Sequence, residues 1–218
     1  MKTSELLRKA FRRFEGGEKW SRSPLNGRLC ARLAVDAAAG DCTVSYYQAI
    51  EYLIKTLPPP FERSRPGLWR YNDAPRRTFA GISWLYGKAI KLAEIDEADA
   101  DGYAGKARLL RVALALRESK HADRFTMEHY QHLDSAPACA LGHYAARPDL
   151  QSVAVLGAVL TRADNHECWS MGDRIKHFDI SLAELKELFS HVGCSDAETT
   201  VQAADYIERF AHEKWPSK

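Results

Sequence analysis

The chain has 218 residues, 45% hydrophobic and 28% charged, with 31 Lys+Arg against 29 Asp+Glu for a net charge of +2. That length allows one large domain or two small ones, each able to bury a core of its own. No stretch approaches the roughly 20 consecutive apolar residues of a membrane span, which excludes a helical membrane protein.

The opening Met1-Lys2-Thr3-Ser4-Glu5 leads into an amphipathic pattern instead of the apolar core of a secretory signal. Over residues 4–15, Leu6, Leu7, Ala10, Phe11 and Phe14 share one helical face, and Gly16-Gly17 ends it. A second helix over about 28–39 carries Leu29, Cys30, Leu33, Ala34 and Ala37 and stops at Gly40. A third starts near Ser45, buries Ala49, Ile50, Leu53 and Ile54, and ends before Pro58-Pro59-Pro60. Residues 58–77, rich in proline and arginine, read as an irregular loop. A fourth helix over 78–95 shows the stripe Phe79, Ile82, Leu85, Tyr86, Ala89, Ile90 and Ala93.

Glu94, Asp96, Glu97, Asp99 and Asp101 make an acidic connector, placed at 96–103. It separates a basic helical unit, 1–95, from a His-rich helical unit, 104–218. The second unit opens with a helix at about 104–119, followed by a loop with helical turns over 120–136. Pro137 then starts a helix running to about 146. The apolar run 153–160 fits a strand of a short β-hairpin or a buried helix, and periodicity does not arbitrate. Ser181 and Glu184 form a capping box, and a last helix over 199–213 carries Val201, Ala204, Ile207 and Phe210. The class is mainly α.

Two stretches echo one another. Leu6-Leu7-Arg8-x-Ala10 returns as Leu109-Leu110-Arg111-x-Ala113, an aromatic follows each (Trp20, Phe125), and Cys30-Ala31 returns as Cys139-Ala140. The simplest account is a diverged tandem duplication of one small helical unit. Charge divides unevenly between the halves. Residues 1–95 hold 17 Lys+Arg against 9 Asp+Glu, or +8, and the remainder holds 14 against 20, or −6. A basic first half suits phosphates or an acidic partner, and equally suits pairing with its own acidic second half.

The first half resembles a family of bacterial and phage-borne domains of unknown function. The residues that carry the resemblance are Leu6-Leu7-x-x-Ala10, Trp20, Cys30-Ala31-Arg32-Leu33, Tyr71-Asn72-Asp73, Arg77-Thr78 and Ala89-Ile90. Arg32 and Leu33 depart from the Cys-Ala-Leu-Gly-like pattern, and Tyr71 stands where a Trp is usual. The second half is similar to phage-type reading frames through Phe125-Thr126-Met127, Ala138-Cys139-Ala140-Leu141-Gly142 and Phe178-Asp179-Ile180. The resemblance implies a phage, prophage or mobile-element setting and no known activity.

Three constellations bear on chemistry. All eight histidines follow residue 120, and the tightest set is His129, His132, Cys139 and His143. Cys139 and His143 would stand one helical turn apart, a spacing that presents two ligands to zinc, with His129 and His132 completing a tetrahedron. Against this, Cys30 occupies the equivalent place in the first unit with no histidine nearby, which favours a packing role for the cysteine. Asp164, His166 and Glu167 share one polar stretch and Asp173 stands four residues before His177. Acid–base catalysis needs such groups to converge, which sequence proximity alone does not establish. No nucleophile elbow, phosphate loop or dinucleotide fingerprint occurs.

The third constellation is the arginine-rich segment. Arg63, Arg65, Arg70, Arg76 and Arg77 interleave with Trp69 and Tyr71, a composition that suits single-stranded nucleic acid or an acidic groove on a protein. The five cysteines are odd in number and irregularly spaced, as expected of reduced thiols in a cytoplasmic protein. The expectation is a cytoplasmic, non-enzymatic interaction protein of phage or mobile-element type that occludes a surface of a host or defence protein. Two alternatives stay open: a zinc-dependent enzyme in the second unit, and a nucleic-acid binder acting through the arginine segment.

Overall fold

The computed structural model describes residues 1–22, 27–40, 42–126, 139–145, 147, 171–189 and 197–216. Helix α1 (Thr3–Arg12) forms where Leu6, Leu7 and Ala10 recur at helical spacing, and all three are fully buried. Glu5 in its first turn and Lys9 and Arg12 in its last suit the helix dipole. A 3₁₀ turn at Glu15–Gly17 follows. Gly17 holds a positive φ of 111°, and a Cβ there would meet the Phe79 ring at 2.7 Å, so only glycine fits.

Helices α2 (Ala31–Ala39), α3 (Thr43–Lys55), α4 (Arg65–Asp73) and α5 (Phe79–Ala100) complete the first unit. Helix α1 packs on α2 and α3, and α4 closes against the same two. The stripe expected for α3 is buried, as is that of α5 apart from the partly buried Phe79 and Ile90, whereas in α2 the buried set is Ala31, Ala34, Val35, Ala38 and Ala39, and Ala37 faces solvent. Aromatic rings fill the centre: Phe14 meets Phe79 and Tyr86 edge-on at 5.8 and 5.5 Å, while Phe11 stacks on Phe79 at 6.0 Å. The buried Tyr86 hydroxyl donates to the Ala31 carbonyl at 2.5 Å.

Two expectations are corrected here. Residues 58–77 are not one irregular loop, because Arg65–Asp73 is helical. Ser64 caps α4 by accepting from the Gly67 N–H at 3.1 Å, and Pro66 lies in the first turn, where its missing N–H costs nothing. A Cβ on Gly67 would run into the Glu62 carbonyl, so this glycine serves close packing and not a turn. Likewise, residues 96–100 of the expected connector are the end of α5, and the turn comes at Asp101-Gly102. The chain divides into two compact units, Met1–Glu97 and Ala98–Lys218, and the division falls inside that helix.

In the second unit, α6 (Ala104–Arg117) is central. Helices α7 (Ala140–Ala145), α8 (Met171–Phe178) and α10 (Thr200–Lys214) pack on it, and α9 (Leu182–Phe189) packs on α8. The Ser181–Glu184 capping box is present, each backbone N–H bonded to the other's side chain at 2.6 and 3.2 Å. Thr199 and Gln202 form a second box at the start of α10. The buried stripe of α10 is Ala203, Ala204, Ile207 and Ala211, while Val201 is 50% exposed. The buried Lys106 donates to the Trp215 carbonyl at 2.6 Å, and the exposed Arg117 reaches Asp205 and Glu208 at 2.5 and 2.9 Å. The apolar run 153–160, where a hairpin was one expectation, lies outside the described residues. Among the described residues there is no strand, only an isolated bridge between Trp20 and Leu29. No helix among them is long and apolar enough to cross a membrane.

Candidate functional site

The site is built on Asn72, which is 3% exposed. Its Oδ1 accepts from the Trp20 indole N–H at 3.2 Å and from the Ala31 N–H at 3.1 Å. Its Nδ2 donates to the carbonyls of Arg22 and Ser21 at 3.0 and 3.4 Å and to Asp73 Oδ1 at 2.8 Å. Every donor and acceptor of the amide is thereby committed. Ala31 is the first residue of α2, and Cys30 before it makes no side-chain cap, so the cap comes from Asn72 instead. A side chain 41 residues away thus holds the start of α2, the 20–22 segment and α4 together.

Between these elements lies a cleft of about 300 Å³ lined by Arg22, Cys30, Ala31, Arg32, Leu33, Leu68, Trp69, Asn72 and Asp73. Its floor is apolar, from Ala31, Leu33 and the buried Leu68. Exposed Arg22, Arg32 and Asp73 form its rim with Trp69, which is 48% exposed. Arg22 donates to the Pro75 carbonyl, which holds it in place, whereas the Arg32 side chain has no hydrogen bond or ion pair among the described residues.

The arginine segment divides under this geometry. Tyr71 is buried, with its hydroxyl donating to the Gly81 carbonyl at 2.9 Å and Phe61 edge-on at 5.1 Å. Burial pushes its phenol pKa up. Arg77 lies 3.6 Å over the Tyr71 ring and donates to the Tyr71 carbonyl at 3.0 Å, which makes this pair structural. Arg65 covers exposed Tyr47 at 4.9 Å, Arg70 pairs with Glu62 at 3.3 Å, and Arg63 and Arg76 are exposed. The surface set is therefore Arg63, Arg65, Trp69, Arg70 and Arg76, without Tyr71 and Arg77. The sequence did not single out Arg22 and Arg32 as site residues. They lie 37 or more positions before Trp69, and no local spacing links them to it.

Of the four residues considered for zinc, His129 and His132 lie outside the described residues. Cys139 immediately precedes α7, and burial raises its thiol pKa. His143, 2% exposed, places Nδ1 2.7 Å from Ser119 Oγ. Asp164, His166 and Glu167 also lie outside the described residues. His177 stands in the last turn of α8, its pKa pushed down to about 4 by burial and by the nearby Arg108 and Arg111.

No curated protein and no solved structure matches the chain. Residues 1–92, which span α1 to α4 and most of α5 and so hold Asn72 and the cleft, match the model of DUF6197, a family of unknown function.

Proposed function

We propose that this chain is a non-enzymatic interaction protein whose first unit carries the binding surface. The observation behind this reading is Trp69: a tryptophan 48% exposed on a capped helix, beside a cleft and flanked by Arg65 and Arg70. Large aromatics and arginines dominate binding energy at protein interfaces, and a residue of this size left half in solvent has no comparable use in the core. In this reading the partner is a host or defence protein whose surface is occluded, in a phage or mobile-element setting suggested by the short motifs of both halves.

The same proposal takes the two units as diverged copies of one ancestor. In support, Leu6, Leu7 and Ala10 in α1 and Leu109, Leu110 and Ala113 in α6 are all buried. The intervening arginine pairs with an acid in each case, Arg8 with Glu94 and Arg111 with Asp99. Cys30 immediately precedes α2 as Cys139 precedes α7.

The test is native capture from a host lysate with wild type and with Trp69→Ala and Arg70→Glu side by side. Both side chains are exposed, so each variant should melt within a few degrees of wild type while losing most of the captured partner. A partner retained equally by all three proteins, or none captured by wild type, would overturn the reading.

A further inference from the structure

We infer that the cleft between the start of α2 and α4 receives a protein segment in which one apolar side chain is followed or preceded by acidic residues. The inference rests on the interaction reading above and names the chemistry of the partner. Size is the first argument. At about 300 Å³ the cleft lies at the lower end of ligand pockets, room for a single anchoring side chain and its neighbour.

The floor is the second argument. It is made by Ala31, Leu33 and Leu68; the Asn72 amide is fully bonded and the Ala31 N–H donates to it, which leaves only the weakly hydrogen-bonding Cys30 thiol beside them. A nucleobase seated there would bury its hydrogen-bonding edge without partners, which is costly, whereas an apolar side chain loses nothing. The walls are the third. Trp69 offers an indole face, and Arg22 and Arg32 place two positive charges on the rim. The Arg32 side chain forms no ion pair among the described residues, so it is available to a partner carboxylate. Asp73 on the same rim disfavours a run of phosphates, whose charges it would repel. The unit's excess of 17 Lys+Arg over 9 Asp+Glu in residues 1–95 steers an acidic segment toward it.

The experiment is selection of a displayed library of random 12-residue peptides on the full chain, repeated on Arg32→Glu and on Leu33→Glu. Arg32→Glu changes an exposed side chain with no bond to lose, so its folding is not at issue. The expected result is enrichment of peptides with a Leu, Phe or Trp next to Asp or Glu. Their affinity should fall at least tenfold on Arg32→Glu and should be lost on Leu33→Glu. Enriched peptides without acidic residues, affinities unchanged in both variants, or no enrichment at all would overturn the inference. Tighter binding of a single-stranded oligonucleotide that weakens steeply with salt and depends on Arg32 would also overturn it. If Trp69-dependent capture from lysate survives such a failure, the interaction reading stands and only the assignment of the cleft falls.

Discussion

Helices α1 and α6 carry the same Leu-Leu-Arg-x-Ala spacing and set it in different surroundings. In α1 one face is buried, through Thr3, Ser4, Leu6, Leu7 and Ala10, and Glu5, Arg12 and Arg13 face solvent. In α6 every residue from Gly105 to Leu116 is buried except Arg108, which is partly so. The arginines follow the burial of their helices, and their partner acids run the opposite way. The Arg8 side chain is 40% exposed and its partner Glu94 only 7%, while the Arg111 side chain is 10% exposed and its partner Asp99 38%. One motif therefore answers a buried acid in the first unit and buries its own cation in the second. A short motif fixes which residues point inward on a helix, but the number of helices packed around it decides how much that is worth.

The leucines test this most severely. Leu6→Ala and Leu109→Ala each delete a fully buried side chain, at a cost of about 3 kcal/mol for Leu6 and about 4 kcal/mol for Leu109. The larger figure belongs to α6 because neighbours on all sides leave less room for the site to collapse. Urea unfolding followed by far-ultraviolet circular dichroism measures both, and a greater loss at Leu6 would break the comparison.

The arginines sharpen it. Arg8→Met leaves the Glu94 carboxylate buried with Lys91 3.7 Å away, and should cost about 2–3 kcal/mol. Arg111→Met replaces a buried cation with an apolar chain and leaves Asp99 partly in water, so it should change stability by less than about 1 kcal/mol. Equal costs would mean that exposure of the partner acid does not set the value of the pair.

A further effect is confined to the second unit and to acid. His177 beside Arg108 and Arg111 has its pKa held down to about 4, below the ordinary histidine value of 6.5. The unfolded chain therefore takes up the proton first as pH falls. Stability is at its full value above pH 6.5, declines as pH drops toward 4, and is constant below that as far as this group is concerned. Because the ring is only partly buried, the loss over that window should be about 1–2 kcal/mol. His177→Gln should flatten the window, and melting curves between pH 7 and pH 4 decide the point.

Helix existence was legible wherever the pattern was long and local. The stripes of α3 and α5 and the Ser181–Glu184 box follow from neighbours three or four residues apart, whereas α1 ends at Arg12 and not at Gly16-Gly17, which belong to the following 3₁₀ turn. Helix α4 was not, because Pro66 and Gly67 carry turn chemistry when taken alone. The signal that would have found it is Ser64 two residues before a proline, a start signal that matters more than the Pro-Gly pair. In α10 the stripe was read one position off at Val201, since Ala203 and Ala211 were passed over in favour of larger residues.

By itself, then, the sequence determined a mainly helical chain with apolar faces on period, local caps and a basic first half, because each depends on residues close along the chain. Only the tertiary structure decided what Asn72 does, since its amide caps a helix 41 residues away. It also separated Tyr71 and Arg77, which serve the core, from Trp69, which serves the surface. And it brought Arg22, Arg32 and Trp69 to one cleft. Each of these requires segments distant in sequence to meet, and helical periodicity carries no information about which segments those are.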